Sequence, residues 1–141
     1  MAVLREQCRS CRSEVDVTVG QAVCDHELVW HKGYTCPNCG GSTEEDGRGP
    51  TPDEVRCAII QQEGEWALEL AETGILVTMA LKMLRQALNL SLSEVGELRT
   101  RLPGVVVTGT RTEVDRLLAI LSSKGLKTSV ARLPANVPSS K

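Results

Sequence analysis

The sequence predicts an α+β protein built in two parts: a small cysteine-rich β unit, then a two-layer β-α-α-β-α-β domain. Three observations carry this expectation. Two Cys-x-x-Cys pairs bracket a stretch of alternating valines. A charged segment containing Gly and Pro interrupts the hydrophobic pattern at residues 42–54. From Trp66 onward, apolar patterns of period two and period 3.6 succeed one another in regular order. At 141 residues, 41% of them hydrophobic, the chain has material for one ordinary domain or two small ones.

Composition sets the first limits on function. There is no Phe and aromatics make up 2% of residues, so the core must come from Leu, Val, Ile, Ala and Met, and a base-stacking nucleic-acid platform is not expected. The net charge is −2; residues 1–49 hold 5 basic and 8 acidic side chains, and residues 50–141 hold 11 and 10. Neither half is a basic patch, and four metal-bound thiolates would make the first half a still poorer match for a phosphate backbone. The segment from Met1 to Cys8 has no apolar stretch of signal-peptide length, and no run approaches the roughly 18 apolar residues of a membrane span. The expected location is the cytoplasm. Thiols there are kept reduced, so ordered Cys-x-x-Cys pairs point to metal binding rather than to disulfides.

Cys8-Arg-Ser-Cys11 and Cys36-Pro-Asn-Cys39 are separated by 24 residues, and Gly40 and Gly41 follow the second pair. Each Cys-x-x-Cys turn places two sulfurs on one side of a tight loop, and a following Gly permits the positive φ such turns need. Two turns complete an S₄ shell from Cys8, Cys11, Cys36 and Cys39, which suits a structural Zn²⁺ and leaves no open position for catalysis. Between the pairs, Val15, Val17 and Val19 alternate with polar residues up to Gly20, and Leu28 and Trp30 belong to a second alternating run that stops at Gly33. Both read as short half-buried strands. Knuckle, hairpin, knuckle is the plan of a zinc ribbon, and residues 6–41 resemble that broad family; the unit is expected to span residues 1–43.

Other readings of these cysteines are a disulfide framework, which lacks a secretion signal, and a thioredoxin-like redox pair, which lacks a βαβ surround. Cys24, His26 and His31 lie between the knuckles as alternative ligands, and Cys24-Asp25-His26 has the makings of a nucleophile beside a base. Their plainer reading is packing and solvated loop. Cys57 reads as a small buried hydrophobe.

Residues 44–55 are expected to be a linker, because Ser42 to Glu54 combines acidic charge with Gly and Pro and offers nothing apolar to bury. The second domain is expected over residues 56–133. Arg56 to Gln62 reads as an extra edge strand turning at Glu63-Gly64 into a strand from Trp66 to Leu70. Residues 75–88 read as a helix with Leu76, Ala80, Met83, Leu84 and Ala87 inward and Lys82, Arg85 and Gln86 outward. A second helix has Ser91 as N-cap, Glu94 closing a capping box, Leu90 stapled to Val95, and Val95, Leu98 and Leu102 inward until Pro103 stops it. Gly104–Gly109 is a short apolar strand. Thr112 begins a third helix with Val114, Leu117, Leu118 and Leu121 inward and an exit at Lys124-Gly125. A strand over Leu126–Leu133 runs into a flexible tail, residues 134–141. Helices would cover one face of a three-stranded sheet.

From about Trp66 to Val130 these residues resemble the C-terminal domain of the bacterial ribosomal stalk protein, which recruits translation GTPases. The resemblance lies in the opening strand, Gly74, the Lys82-Met-Leu-Arg85 turn, the Leu90-Ser-Leu-Ser-Glu94 junction, Pro103, Gly109 and the closing helix-strand unit. It implies a partner-binding surface on the first two helices, with Lys82 and Arg85 at two of that family's basic positions. Two further lysines of the family are Ser93 and Gly96 here, and the cysteine-rich unit stands where the family carries its dimerisation region.

The functional expectation is a non-enzymatic adaptor that binds a protein partner, such as a GTPase, a translation factor, or a component of an operon-encoded system like a neutralised toxin. The alternatives are a ribosome- or RNA-associated zinc-ribbon protein, which the charge disfavours, and an enzyme using Cys24 or Cys57 with His26 or His31. No triad order, phosphate-cradling glycine loop or paired-carboxylate motif supports the enzyme.

Overall fold

Four strands open the chain as an antiparallel meander: β1 (Ala2–Gln7), β2 (Glu14–Cys24), β3 (Glu27–Thr35) and β4 (Ser42–Arg48), paired in the order β1-β2-β3-β4. The computed structural model describes residues 2–134. The fold is α+β, with two antiparallel sheets and four helices among these residues. The chain divides into two units after Gly64.

Alternation decides which face of the first sheet is buried. Val15, Val17 and Val19 are each no more than 2% exposed, and their cross-strand neighbours Glu6, Leu4 and Ala2 put β1 on the same face. Helix α1 (Asp53–Glu63) packs on β1 and β2 and inserts Val55, Ala58 and Ile59 against the three valines. Lys32 of β3, only 17% exposed at its side chain, reaches Glu6 at 3.0 Å and Glu54 in the first turn of α1 at 2.7 Å. The two glycines expected to end β2 and β3 lie inside those strands. A Cβ on Gly20 would come within 2.5 Å of the His31 ring, and one on Gly33 within 2.9 Å of the Thr43 carbonyl, so both mark close approach rather than termination.

The linker expectation for residues 44–55 is corrected here. Residues 42–48 are an edge strand whose side chains are largely solvated, and pairing of its backbone with β3 does not require apolar side chains. The expected edge strand over residues 56–62 is also corrected. Val55, Ala58 and Ile59 follow helical spacing, Asp53 and Glu54 suit the positive end of the helix dipole, and Gly64 ends it with φ 95°. This helix belongs with the first sheet, so the second unit starts at Glu65.

The second unit runs β5 (Trp66–Leu70), α2 (Ile75–Leu88), α3 (Leu92–Arg101), β6 (Gly104–Gly109), α4 (Arg111–Ser122) and β7 (Thr128–Arg132), with β5 central in the sheet order β6-β5-β7. Helix α4 lies against all three strands, and α2 packs on α3 and α4. The core is made of aliphatic side chains: Leu68, Leu70, Val77, Ala80, Leu81, Leu84, Leu98, Val106, Val114, Leu117, Leu121 and Leu126. Ser91 and Thr110 each form a complete capping box, with Glu94 and Glu113. The inward stripe of α2 differs from expectation. Val77, Ala80, Leu81 and Leu84 are buried, whereas Leu76 is 37% exposed, a rotation of the helix by about one residue. Of the expected tail, residues 135–141 lie outside the described residues.

The free edge of β1 is occupied by a side chain. Gln62 of α1 accepts from the Val3 backbone N–H at 2.9 Å and donates to the Val3 carbonyl at 2.7 Å, which is the bonding a neighbouring strand would supply. Gln62→Ala should therefore cost about 1–2 kcal/mol in urea unfolding and speed hydrogen exchange at the Val3 amide. In acid, the Lys32–Glu54 bridge should fail in a defined sense. The Lys32 ammonium holds the Glu54 carboxyl below its ordinary value, so its stabilisation is present above the unfolded carboxylate pKa and is lost as pH falls through the lower folded one. Lys32→Met should flatten that acid limb.

Candidate metal centre

The meander alone brings the two Cys-x-x-Cys loops together. Residues 8–13 join β1 to β2 and residues 36–41 join β3 to β4, and the pairings Gln7 with Glu14 and Thr35 with Ser42 put both loops at the same end of the sheet. The sulfurs of Cys8, Cys11, Cys36 and Cys39 all lie within 4.8 Å of one another. Cys8 and Cys39 are 3.6 Å apart and Cys11 and Cys36 are 3.7 Å apart. Four thiolates around one ion at about 2.3 Å require sulfur–sulfur edges of about 3.8 Å. The four cysteines are free, and their separation far exceeds the roughly 2.05 Å of a disulfide. This cluster can hold a metal ion.

The two loops repeat one backbone pattern. The Cys8 N–H donates to the Ser13 carbonyl and the Cys36 N–H to the Gly41 carbonyl; the Arg12 N–H donates to the Cys8 carbonyl and the Gly40 N–H to the Cys36 carbonyl. The fold-back needs a left-handed residue directly after the second cysteine. Gly40 supplies it with φ 77°, whereas in the first loop Arg12 adopts φ 65°. Backbone N–H groups also point at sulfur, from Ser10 to Cys8 and from Gly41 to Cys39, each at 3.4 Å.

A polar shell that the sequence reading missed ties the loops to each other. The Asn38 amide donates to the Cys11 sulfur at 3.4 Å and to the Ser13 hydroxyl at 3.0 Å, bridging the second loop to the first. Tyr34, buried at the end of β3, accepts from the Arg9 N–H at 2.9 Å. The available signal was positional: Asn38 sits inside the second Cys-x-x-Cys and Ser13 two residues beyond the first. Hydrogen bonds from Ser13 and Asn38 bring the Cys11 thiol down to about 5. Backbone N–H groups at Cys11 and Ser10 also lower Cys8. The Gly41 N–H draws Cys39 down, but the neighbouring sulfurs of Cys8 and Cys11 outweigh it and leave that thiol at about 11.

The remaining candidates lie elsewhere. Cys24, Asp25, His26 and Glu27 form the tight turn between β2 and β3, with positive φ at Asp25 and His26. At about 3.3 Å per residue, β2 puts this turn roughly 33 Å from the four-cysteine end, out of reach as a ligand source. Arg48 lies 3.6 Å from the Cys24 sulfur and also bonds Glu27. His31 lies over Gly20 on the face of the sheet opposite α1. Cys57, expected to be buried, is exposed, because α1 turns Val55, Ala58 and Ile59 inward and leaves Cys57 on the opposite side. Lys82 and Arg85 are exposed on α2, and Arg85 donates to the Leu90 carbonyl at 3.3 Å, closing the turn into α3.

Two outcomes follow for the centre. Gly40→Ala should cost about 1–2 kcal/mol through its positive φ alone, since a Cβ there meets nothing within 4 Å. Metal binding near neutral pH should release the Cys39 proton, so affinity should rise with pH through the neutral range. Calorimetry in buffers of different ionisation enthalpy reads that release directly. No known protein family, curated protein or solved structure matches this chain.

Proposed function

We propose that this chain is a non-enzymatic cytosolic adaptor, in which a structural zinc ion organises the first unit and the helices of the second bind a protein partner. The observation that carries the interaction reading is the solvent face of α2. Ile75 is 84% exposed and Met79 43%, and together with Lys82 they fall at i, i+4 and i+7 on one side of the helix; Leu76 adds a further 37%-exposed side chain. Apolar side chains followed by the cations of Lys82 and Arg85 suit a partner offering an apolar anchor with carboxylates beside it. The stalk-protein resemblance of this half makes a translation-type GTPase the first partner class to test, and a component of an operon-encoded system the second.

Zinc is favoured by the donor set. Four thiolates in a tetrahedral arrangement suit a borderline-soft ion, and with every position taken by protein sulfur none is left for a substrate. RNA binding is disfavoured by charge, because the face of the first sheet opposite α1 carries Glu14, Asp16, Glu27, Glu44 and Asp46 against Arg5 and Arg48. Among the described residues no helix is long and apolar enough to cross a membrane.

Two measurements test the reading. Metal analysis of protein purified without chelators should give one zinc per chain, and Cys8→Ser should abolish it. Ile75→Ser with Met79→Ser should leave stability within about 1 kcal/mol of the parent, because Ile75 is 84% exposed and Met79 43%. The same pair should remove cross-linking to the native partner, and Lys82→Glu should weaken it in a salt-dependent way. Capture unaffected by all three changes would end the α2 reading.

A further inference from the structure

The four cysteines differ in how far solvent reaches them. Cys8 is 2% exposed and Cys36 1%, whereas Cys39 is exposed and Cys11 half-buried. The two sulfur pairs in hydrogen-bonding contact, Cys8 with Cys39 and Cys11 with Cys36, each join one loop to the other. Each pair also couples an accessible sulfur to a buried one. That is the arrangement of a peroxidatic thiol beside a resolving thiol: one sulfur meets the oxidant and the other waits within reach.

We propose that the centre is an oxidation-sensitive clasp, in which hydrogen peroxide converts the four metal ligands into two disulfides across the loops, Cys8–Cys39 and Cys11–Cys36, and the metal leaves. This rests on the zinc reading above. Held as a metal ligand, Cys39 is a thiolate; its sulfur attacks one peroxide oxygen, the O–O bond breaks, and the departing hydroxide takes a proton from solvent to become water. Cys39 is then a sulfenic acid. The Cys8 sulfur attacks it, the S–O bond breaks, and a second hydroxide leaves and is protonated to water. Two sulfurs have lost two electrons to one peroxide, and Cys11 with Cys36 repeats the reaction with another. Closing each contact from 3.6 or 3.7 Å to about 2.05 Å is within the reach of side-chain rotation. Because both bridges run between loops, the oxidised chain keeps the two loops clasped without metal. Bridges within each Cys-x-x-Cys would leave the loops separate.

The test uses the full chain carrying Cys24→Ser and Cys57→Ser, which removes the two exposed thiols outside the cluster. Zinc content is measured first, and its absence overturns the zinc reading and the clasp together. The zinc-loaded protein is then titrated with hydrogen peroxide, with release followed by a chromophoric chelator and connectivity by tandem mass spectrometry after trypsin, which cuts after Arg9 and so separates Cys8 from Cys11. The expected result is release in step with Cys8–Cys39 and Cys11–Cys36 bridges, retained β-sheet circular dichroism, and zinc rebinding after reduction. Bridges confined to Cys8–Cys11 and Cys36–Cys39, or Cys39 driven to sulfinic acid without bridging, overturn the clasp while leaving the zinc reading intact.

Discussion

The first unit depends on holding two loops at one end of a four-stranded sheet. Its apolar core is small and built largely from short side chains: Ala2, Val15, Val17, Val19, Val55, Ala58 and Ile59, with Tyr34 at the edge. A core of this size leaves little surplus over the entropy of ordering some sixty residues. Cys8 and Cys36 are counted in the same buried cluster, so the sulfur site is continuous with the core. A metal there would fix the β1–β2 and β3–β4 connections at once, and with them the register that turns three valines inward instead of outward.

The second unit solves the same problem with bulk. Leu68, Leu70, Leu81, Leu84, Leu98, Leu117, Leu121 and Leu126 all belong to one buried cluster, and at about 1.5–3 kcal/mol for each buried side chain this is enough apolar burial to need no metal. Its helices are also closed locally. The boxes at Ser91 and Thr110 satisfy donors at the starts of α3 and α4, and Asn89 ends α2 in the left-handed region with φ 56°. Since the interior is already filled, Ile75, Met79 and Leu92 are not needed for packing, and their exposure calls for another cause.

What was legible in the sequence follows from which signals are local. The Cys-x-x-Cys spacing, the Ser91 box and the glycines bounding β6 each announce themselves within a few residues, and these elements lie where the pattern places them. β4 was not legible because an edge strand pairs through its backbone, and Glu44, Glu45 and Asp46 read as linker by every side-chain criterion. α1 is ambiguous in sequence: Val55, Ala58 and Ile59 spell a helical face, yet the run from Cys57 to Ile60 also satisfies a short strand. The T-x-x-E box at Thr110 and Glu113 starts α4 at Arg111, one residue before the expected Thr112. Asn38 and Tyr34 were out of reach because their contacts span 25 residues or more along the chain.

The accessibility of the four sulfurs links these levels. Alternation along β1, β2 and β3 buries one face of the sheet, and Cys8, directly after β1, and Cys36, directly after β3, inherit that burial. Cys11 and Cys39 sit three residues further on, past the turn of each loop, and are reached by more solvent, Cys11 half-buried and Cys39 exposed. The same periodicity that builds the core therefore makes the four ligands unequal. A tetrahedral S₄ site is closed to a substrate in coordination terms, but a site with an inner and an outer sulfur in each loop stays open to reagents that attack sulfur itself. Its chemistry is decided by where the strands end.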